Sequence, residues 1–406
     1  MFIRLTKATF GLILFLLTSM GDAHADGDCE QLVSNSQYLA YFYCVGDKDD
    51  MISIHNRSMA LSFIGEERRS AMLFEKVDLA EAMPLQGEIS KTPSLLGYFR
   101  FDALSILSKM AMSRKIVMIN EAHHVSRHRI FGLQLAKLLK KQGYTYLAVE
   151  GLSSASKTQQ SGYVALKDPG RGVYTADPEF AYFLREAVAI GFKLVAYEAF
   201  DTNTMAEREQ TQAANIAALI NRDPDAKILV YAGYGHIRKN RTKKGFDWMA
   251  KRLRDLTGID PLAIDQVGGT PNYYSALTDP AWVQANSMLL TNPSVFAKGA
   301  NWLVSKSYDG FVDLTVFHPA ERLVSGRPDW LYPGRRQHFV ASGLIGKTRP
   351  ALLRAVMAND KNGVPIDQVA VDQPEGATLL LPPGTYFIEV ETRLTGNKRL
   401  YSTRIY

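Results

Sequence analysis

Four short apolar runs in the middle of the chain each lead into groups able to move a proton or hold an ion. The first, Lys115–Asn120, is followed by Glu121, Ala122, His123 and His124, with His128 one helical turn further on. The second and third, Thr145–Glu150 and Lys193–Glu198, close on a carboxylate, and Arg208 follows the third. The fourth, Lys227–Ala232, leads into Gly233-Tyr234-Gly235-His236. A carboxylate directly after an apolar strand is costly to bury unless it is paired or used. Of the eight histidines in the chain, four stand in these segments. The set is a candidate centre of Glu121, His124, Glu150, Arg208 and His236. His123, His128, Glu198, Tyr234 and Lys239 are placed to bind a ligand beside it.

Two chemistries suit these residue types. Burial raises the pKa of one glutamate while Arg208 lowers that of a neighbour, which yields a general acid and a general base. Alternatively, Glu121, His123, His124, Glu150 and His236 offer the mixed ligands of a divalent metal such as Zn²⁺ or Mn²⁺. Both routes activate water for hydrolysis. The basic run Arg238, Lys239, Arg241, Lys243, Lys244 directly after His236 would form a rim that attracts an anion.

These groups need elements that bring them together. The four runs lack polar alternation, as strands buried on both faces do. Amphipathic segments fit between them. Phe131, Leu135 and Leu138 mark one helix, and Gly143 stops it after Lys140 and Lys141. Asp177-Pro178 caps a second helix, which Gly191 closes. Met205–Asn221 is a third, and a fourth around Phe246–Leu256 leads to the short run Leu262-Ala263-Ile264. Alternating strand and helix predicts an α/β fold with a mainly parallel sheet, which places ligands beyond the strand carboxyl ends. Leu152–Ala176 is too long for an ordinary connection and reads as a lid carrying Tyr163, Arg171 and Tyr174.

The flanks differ in character. Arg4 and Lys7, the apolar run Ala8–Met20 and Ala23-His24-Ala25 read as a signal peptide over residues 1–25, cleaved after Ala25. The protein is therefore expected in the periplasm or outside the cell, with no transmembrane anchor after cleavage. In that oxidising setting the only two cysteines, Cys29 and Cys44, are expected to pair. Residues 26–95 read as a helical segment, 96–335 as the α/β domain, and 336–406 as a small β-sandwich punctuated by turns such as Pro382-Pro383-Gly384.

Length and composition agree. The 406 residues are 46% hydrophobic and 22% charged, which excludes disordered and collagen-like chains. A net charge of +6 is too small to argue for nucleic acid; the expected partner is a small-molecule or peptide ligand, in keeping with an anionic one. No G-x-S-x-G elbow and no H-E-x-x-H motif occurs.

The pattern resembles the superfamily of erythromycin esterases, ChaN-type haem-binding proteins and Tiki-type metallopeptidases. Glu121 with His123 fits a G-E-x-H spacing, and Glu121 with His124 fits G-E-x-x-H. Glu150, Arg208 and His236 fill the remaining places. Asp309–Pro319 and Gly326-Arg327-Pro328 resemble the closing segment of esterase-like members. Asn120 stands where the family carries glycine. The resemblance implies an α/β sheet with its site at these strand ends, and leaves hydrolysis, haem binding and peptide cleavage open. A haem binder would take an axial ligand from residues such as Tyr163, Tyr174 or Tyr234. The expectation is an exported hydrolase acting on an ester or amide, with haem uptake or metal-dependent peptide cleavage as alternatives.

Overall fold

A computed structural model describes residues 25–46, 48–82, 95–393 and 396–406. The expected leader, apart from Ala25, lies outside the described residues.

Six parallel strands form the central sheet: β1 (Ile116–Glu121), β2 (Tyr146–Val149), β3 (Lys193–Ala196), β4 (Ile228–Gly233), β5 (Leu262–Asp265) and β6 (Leu314–Thr315). Their order is β3-β2-β4-β1-β5-β6. Each of the five sequence-read runs is one of these strands, displaced by a residue or two at the ends. Alternate side chains feed opposite faces, as the two-residue period of a strand requires. Val117 and Ile119 enter one core with Leu147, Val149 and Leu229. Ile116 and Met118 enter the other with Ala148, Ile228 and Val230. A fully buried side chain of this size contributes roughly 1.5–3 kcal/mol.

Helices cover both faces. Those on the first are α3 (Arg127–Lys140) and α4 (Pro178–Ala189); those on the second are α5 (Met205–Arg222) and α6 (Met249–Thr257). The Asp177 side chain accepts from the amides of Glu179 and Phe180, which caps α4 as its Asp-Pro start requires. Thr204 and Glu207 form a capping box that fixes the start of α5.

The N-terminal part is helical, as its periodicity requires. Helices Ala25–Ser34 and Tyr38–Cys44 precede α1 (Met51–Phe63) and α2 (Glu67–Ala82). The C-terminal part packs a four-stranded and a two-stranded antiparallel sheet around one core. Its strands Ala351–Met357, Gly376–Leu381, Gly384–Thr392 and Gly396–Ile405 lie in the segment expected to be β-rich. Arg336–Ala341 and Asp367–Val371 lacked a clear sequence signal.

The three parts are stitched together through the helical one. Glu391 of the C-terminal sheet accepts from the amides of Leu39 and Ala40 at 3.0 and 3.2 Å. Buried Arg354 donates to the Ser36 carbonyl, and the Ala370 amide donates to Ile64. Leu152–Ala176 is no free lid. It zips onto the C-terminal sheet, where the Leu166 amide donates to Asn362 and the Val364 amide to Val164.

Cys29 and Cys44 form a disulfide that closes 15 residues and ties the first two helices together. Loop-closure entropy gives such a link about 3 kcal/mol. Replacing both cysteines with serine is expected to lower the unfolding free energy by about 2–4 kcal/mol in urea titrations. An unchanged midpoint would show that the link contributes nothing.

Candidate functional site

The centre lies where three neighbouring strands end. β4 runs between β1 and β2, and its terminal Gly233 is in register with Glu121. Glu121 and Glu150 therefore flank a residue without a side chain. The His123 ring occupies that space: a β-carbon on Gly233 would sit 2.5 Å from its Cε1. Any other residue there would expel the ring.

Glu121 is held on both oxygens. Arg129, from the first turn of α3, donates to Oε2 at 2.9 Å and to Oε1 at 3.1 Å. His123 Nδ1 meets Oε1 at 2.9 Å. Arg129 also donates to the His123 carbonyl at 2.6 Å and pairs with Asp177 at 2.9 Å. One buried guanidinium thus binds the end of β1, the turn after it and the cap of α4. Burial opposes ionisation of Glu121, but the Arg129 charge and the hydrogen bond from His123 outweigh it and hold the carboxyl below its usual range.

Glu150 is the second hub. Arg208 donates to its Oε1 at 3.0 Å, and His236 Nε2 lies 3.4 Å from the same atom. The Gly233 amide donates to Oε2. Burial opposes ionisation here too, yet His236, by its charge and its hydrogen bond, and Arg208 hold the carboxyl well below its usual range. The expectation of one raised glutamate is not met at either position, because each carboxylate has its own cation. Glu198 takes the other side of Arg208 at 3.0 and 2.7 Å, with Gln212 donating at 2.7 Å. It anchors Arg208.

His236 sits between two acids. Its Nδ1 lies 2.8 Å from Glu209, and Glu209 also accepts from the Met249 amide at 2.6 Å. Burial disfavours the imidazolium, but Glu209 and Glu150 reverse the balance and raise the pKa to about 10. Arg208 Nη1 and His236 Nε2, 3.4 Å apart, are then both donors and converge on Glu150 rather than on each other.

The paired histidines separate. His123 Nε2 faces Glu150 Oε1 at 3.9 Å, and its ring stacks on Tyr174 at 4.0 Å. His124 stacks on Phe74 of α2 at 4.1 Å, and the Tyr234 hydroxyl approaches its Nδ1 at 3.3 Å. Burial keeps His124 neutral. Tyr234 itself takes a left-handed backbone, φ 38°, which turns the chain sharply after Gly233.

Two expected ligand-facing residues are structural. His128 accepts from the Ala122 amide at 3.1 Å and meets Thr270 at 2.8 Å, so both ring nitrogens pin the turn. Lys239 is buried against Asp260 and Asp313, at 3.2 and 2.9 Å. Arg238 stands over Trp248, Tyr308 and Phe311, and Arg241 pairs with Asp247. The basic run is thus largely committed to folding its own loop rather than forming an open rim. Asn120, where glycine was expected, leaves β1 in register and is fully buried. It donates to Asp265 at 3.0 Å and accepts from the Gln266 amide at 2.8 Å, joining β1 to β5.

Several contributors had no site reading in the sequence. Glu209 follows Met205 and precedes Gln212, Ala213 and Ile216 at helical spacing, so the buried face of α5 was a usable signal. Arg129 and Asp177 are paired only by the tertiary fold. His55 of α1, 6.5 Å from the His123 ring, and Phe74 of α2 come from a segment that showed no chemistry of its own.

Among the described residues no three His, Cys, Asp or Glu side chains are arranged to hold a metal ion. The donor set explains this: both Glu121 oxygens face Arg129, and His236 is held as a cation. Metal ligation does not fit. Haem fits no better at the named tyrosines, since Tyr174 is packed on His123, Tyr163 bonds to the Lys361 carbonyl and the Tyr234 hydroxyl is turned to His124.

No protein-family model matches the sequence, and no curated protein is significantly similar to it. Solved structures give distant likenesses. One is the type III effector HopBA1, 18% identical over 41% of this chain and 83% of that one, with a TM-score of 0.28. Two bacterial protein toxin structures are 15% and 13% identical, with TM-scores of 0.31 and 0.30. They cover 60% and 59% of this chain, which spans little more than half of theirs, 57% and 56%. Likenesses at these scores carry no argument.

The charge state of His236 is directly measurable. Its raised pKa means that its stabilising contribution is complete below the free-histidine value near 6.5 and is lost as pH rises through about 10. ¹⁵N NMR of the folded protein is expected to show His236 as imidazolium at pH 8.5. A neutral ring at that pH would contradict the arrangement.

Proposed function

We propose that the chain is a hydrolase of esters or amides, with His123 as the base that activates water. The observation that carries this reading is the alignment Glu121–His123–Glu150. A carboxylate only accepts, so Nδ1 of His123 carries a proton bound to Glu121. Glu150 Oε1 lies 3.9 Å from Nε2, beyond hydrogen-bond distance, and the proposed reaction uses the ring with Nε2 bare. Two acceptors 3.9 Å apart, too far from each other for a direct bond, suit a water molecule that donates to both.

In the proposed reaction Nε2 takes a proton from that water as its oxygen attacks the carbonyl carbon. Glu121 stabilises the imidazolium that forms. The tetrahedral intermediate then expels the leaving oxygen or nitrogen, which takes the proton back from His123. Glu150, kept ionised by Arg208 and His236, orients the water. The two cations beside it offset the negative charge that develops on the substrate. His124, neutral and stacked on Phe74, lines the approach. The resemblance of Glu121, Glu150, Arg208 and His236 to the erythromycin-esterase pattern supports the same chemistry.

The disulfide, and the absence of any described helix long and apolar enough to cross a membrane, agree with action outside the cytoplasm after removal of the leader.

Glu121→Gln and His123→Ala proteins, shown to be folded by circular dichroism, are expected to lose about 10²–10⁴-fold in kcat on 4-nitrophenyl esters. Wild-type rates in both would exclude the mechanism.

A further inference from the structure

Helix α1 packs beside the His123–His124 turn and carries two buried polar atoms that no described residue satisfies. His55 is 6% exposed, and its Nδ1 has no hydrogen-bond partner among the described residues. Ser58, one turn further along the same helix face, is fully buried, and its Oγ is equally unpartnered. An unpaired buried polar atom costs roughly 1–3 kcal/mol, so two on one helix face call for an explanation.

Their surroundings give one. The His55 ring lies 6.3 Å from Tyr174, 6.0 Å from Phe74 and 6.5 Å from His123. The Ser70 hydroxyl of α2 shares its one proton between the Ser58 carbonyl at 2.6 Å and the His124 carbonyl at 3.2 Å, which holds the Ser58 backbone against the same turn. The strand ends supply the charge of the centre; α1 and α2 supply an uncharged wall of imidazole, hydroxyl and aromatic groups. Burial keeps His55 neutral, with its pKa lowered to about 3. A charged ligand group would lose its hydration there without a counter-charge. A hydroxyl both donates and accepts, which matches an unpartnered ring nitrogen and an unpartnered serine hydroxyl one helical turn apart.

We propose that His55 and Ser58 form a substrate-recognition subsite for an uncharged hydroxyl group carried by the ester or amide substrate, next to the bond that is cleaved. This rests on the hydrolytic reading of the same centre. It assigns the N-terminal helices a role in specificity that their sequence did not advertise.

Two esters that differ by one hydroxyl test it: 4-nitrophenyl lactate and 4-nitrophenyl propionate. The wild type is expected to favour the lactate ester at least about tenfold in kcat/KM, as one hydrogen bond to a waiting partner allows. His55→Phe and Ser58→Ala are expected to collapse that ratio toward one, mainly through KM. Both variants without ligand are expected to melt at or above the wild-type Tm, because each removes an unsatisfied buried atom. An unchanged ratio, or a clear drop in Tm in both variants, would overturn the subsite. A second readout separates this from failure of the hydrolytic reading. In ¹⁵N-histidine NMR, lactamide is expected to shift His55 saturably and propionamide to leave it in place. A shift without ester hydrolysis by the wild type would retain the subsite and remove the hydrolase. No shift with lactamide would remove the subsite even if the esters are cleaved.

Discussion

Arg129 is the contact on which the rest of the centre depends. It holds Glu121 on two oxygens, fixes the carbonyl of His123 and pairs with Asp177, all out of contact with water. A buried ion pair of this kind adds little net stability, because desolvation of both partners offsets their attraction. Breaking it is another matter, since the carboxylates left behind would be uncompensated. Its value is positional. With Glu121 fixed as an ion, Nδ1 of His123 is the nitrogen that donates to it, and Nε2 is left facing Glu150. Arg208 repeats the device one strand over, between Glu150 and Glu198.

The sheet makes this geometry possible by an omission. The strand between the two carboxylates ends in Gly233, and only a residue without a side chain leaves room for the imidazole. The flanking parts then close the centre. α1 and α2 lay His55 and Phe74 against the paired histidines, and the C-terminal sheet holds the end of α1 through Ala370 and the helix before it through Glu391 and Arg354. The antiparallel module thus holds the cover in place. Glu121, His123 and Glu150 are 1–4% exposed, so the proposed reaction requires part of that cover to shift.

Much of this was legible in the sequence. Uninterrupted apolar runs between amphipathic segments gave the parallel sheet, because burial on both faces leaves no other composition. Strand-end residues Glu121, Glu150, Glu198 and His236 identified themselves by the cost of placing charge after an apolar strand. The local signal failed where a partner came from afar. Lys239 and Arg238 look like an anion-attracting run until Asp260, Asp313 and three aromatic rings arrive from other segments. Choosing His123 over His124 required the register of Gly233. The roles of Arg129 with Asp177, and of His55, are purely tertiary. Glu209 was within reach, since the helical period of α5 places it on the buried face.

The chemistry of the centre turns on the orientation of one ring. The ¹⁵N chemical shifts of His123 in the folded protein at neutral pH report it directly. A protonated Nδ1, bound to Glu121, and a bare Nε2 facing Glu150 are expected. A bare Nδ1 with the proton on Nε2 would leave no base aimed at the water, and would contradict the proposed hydrolysis.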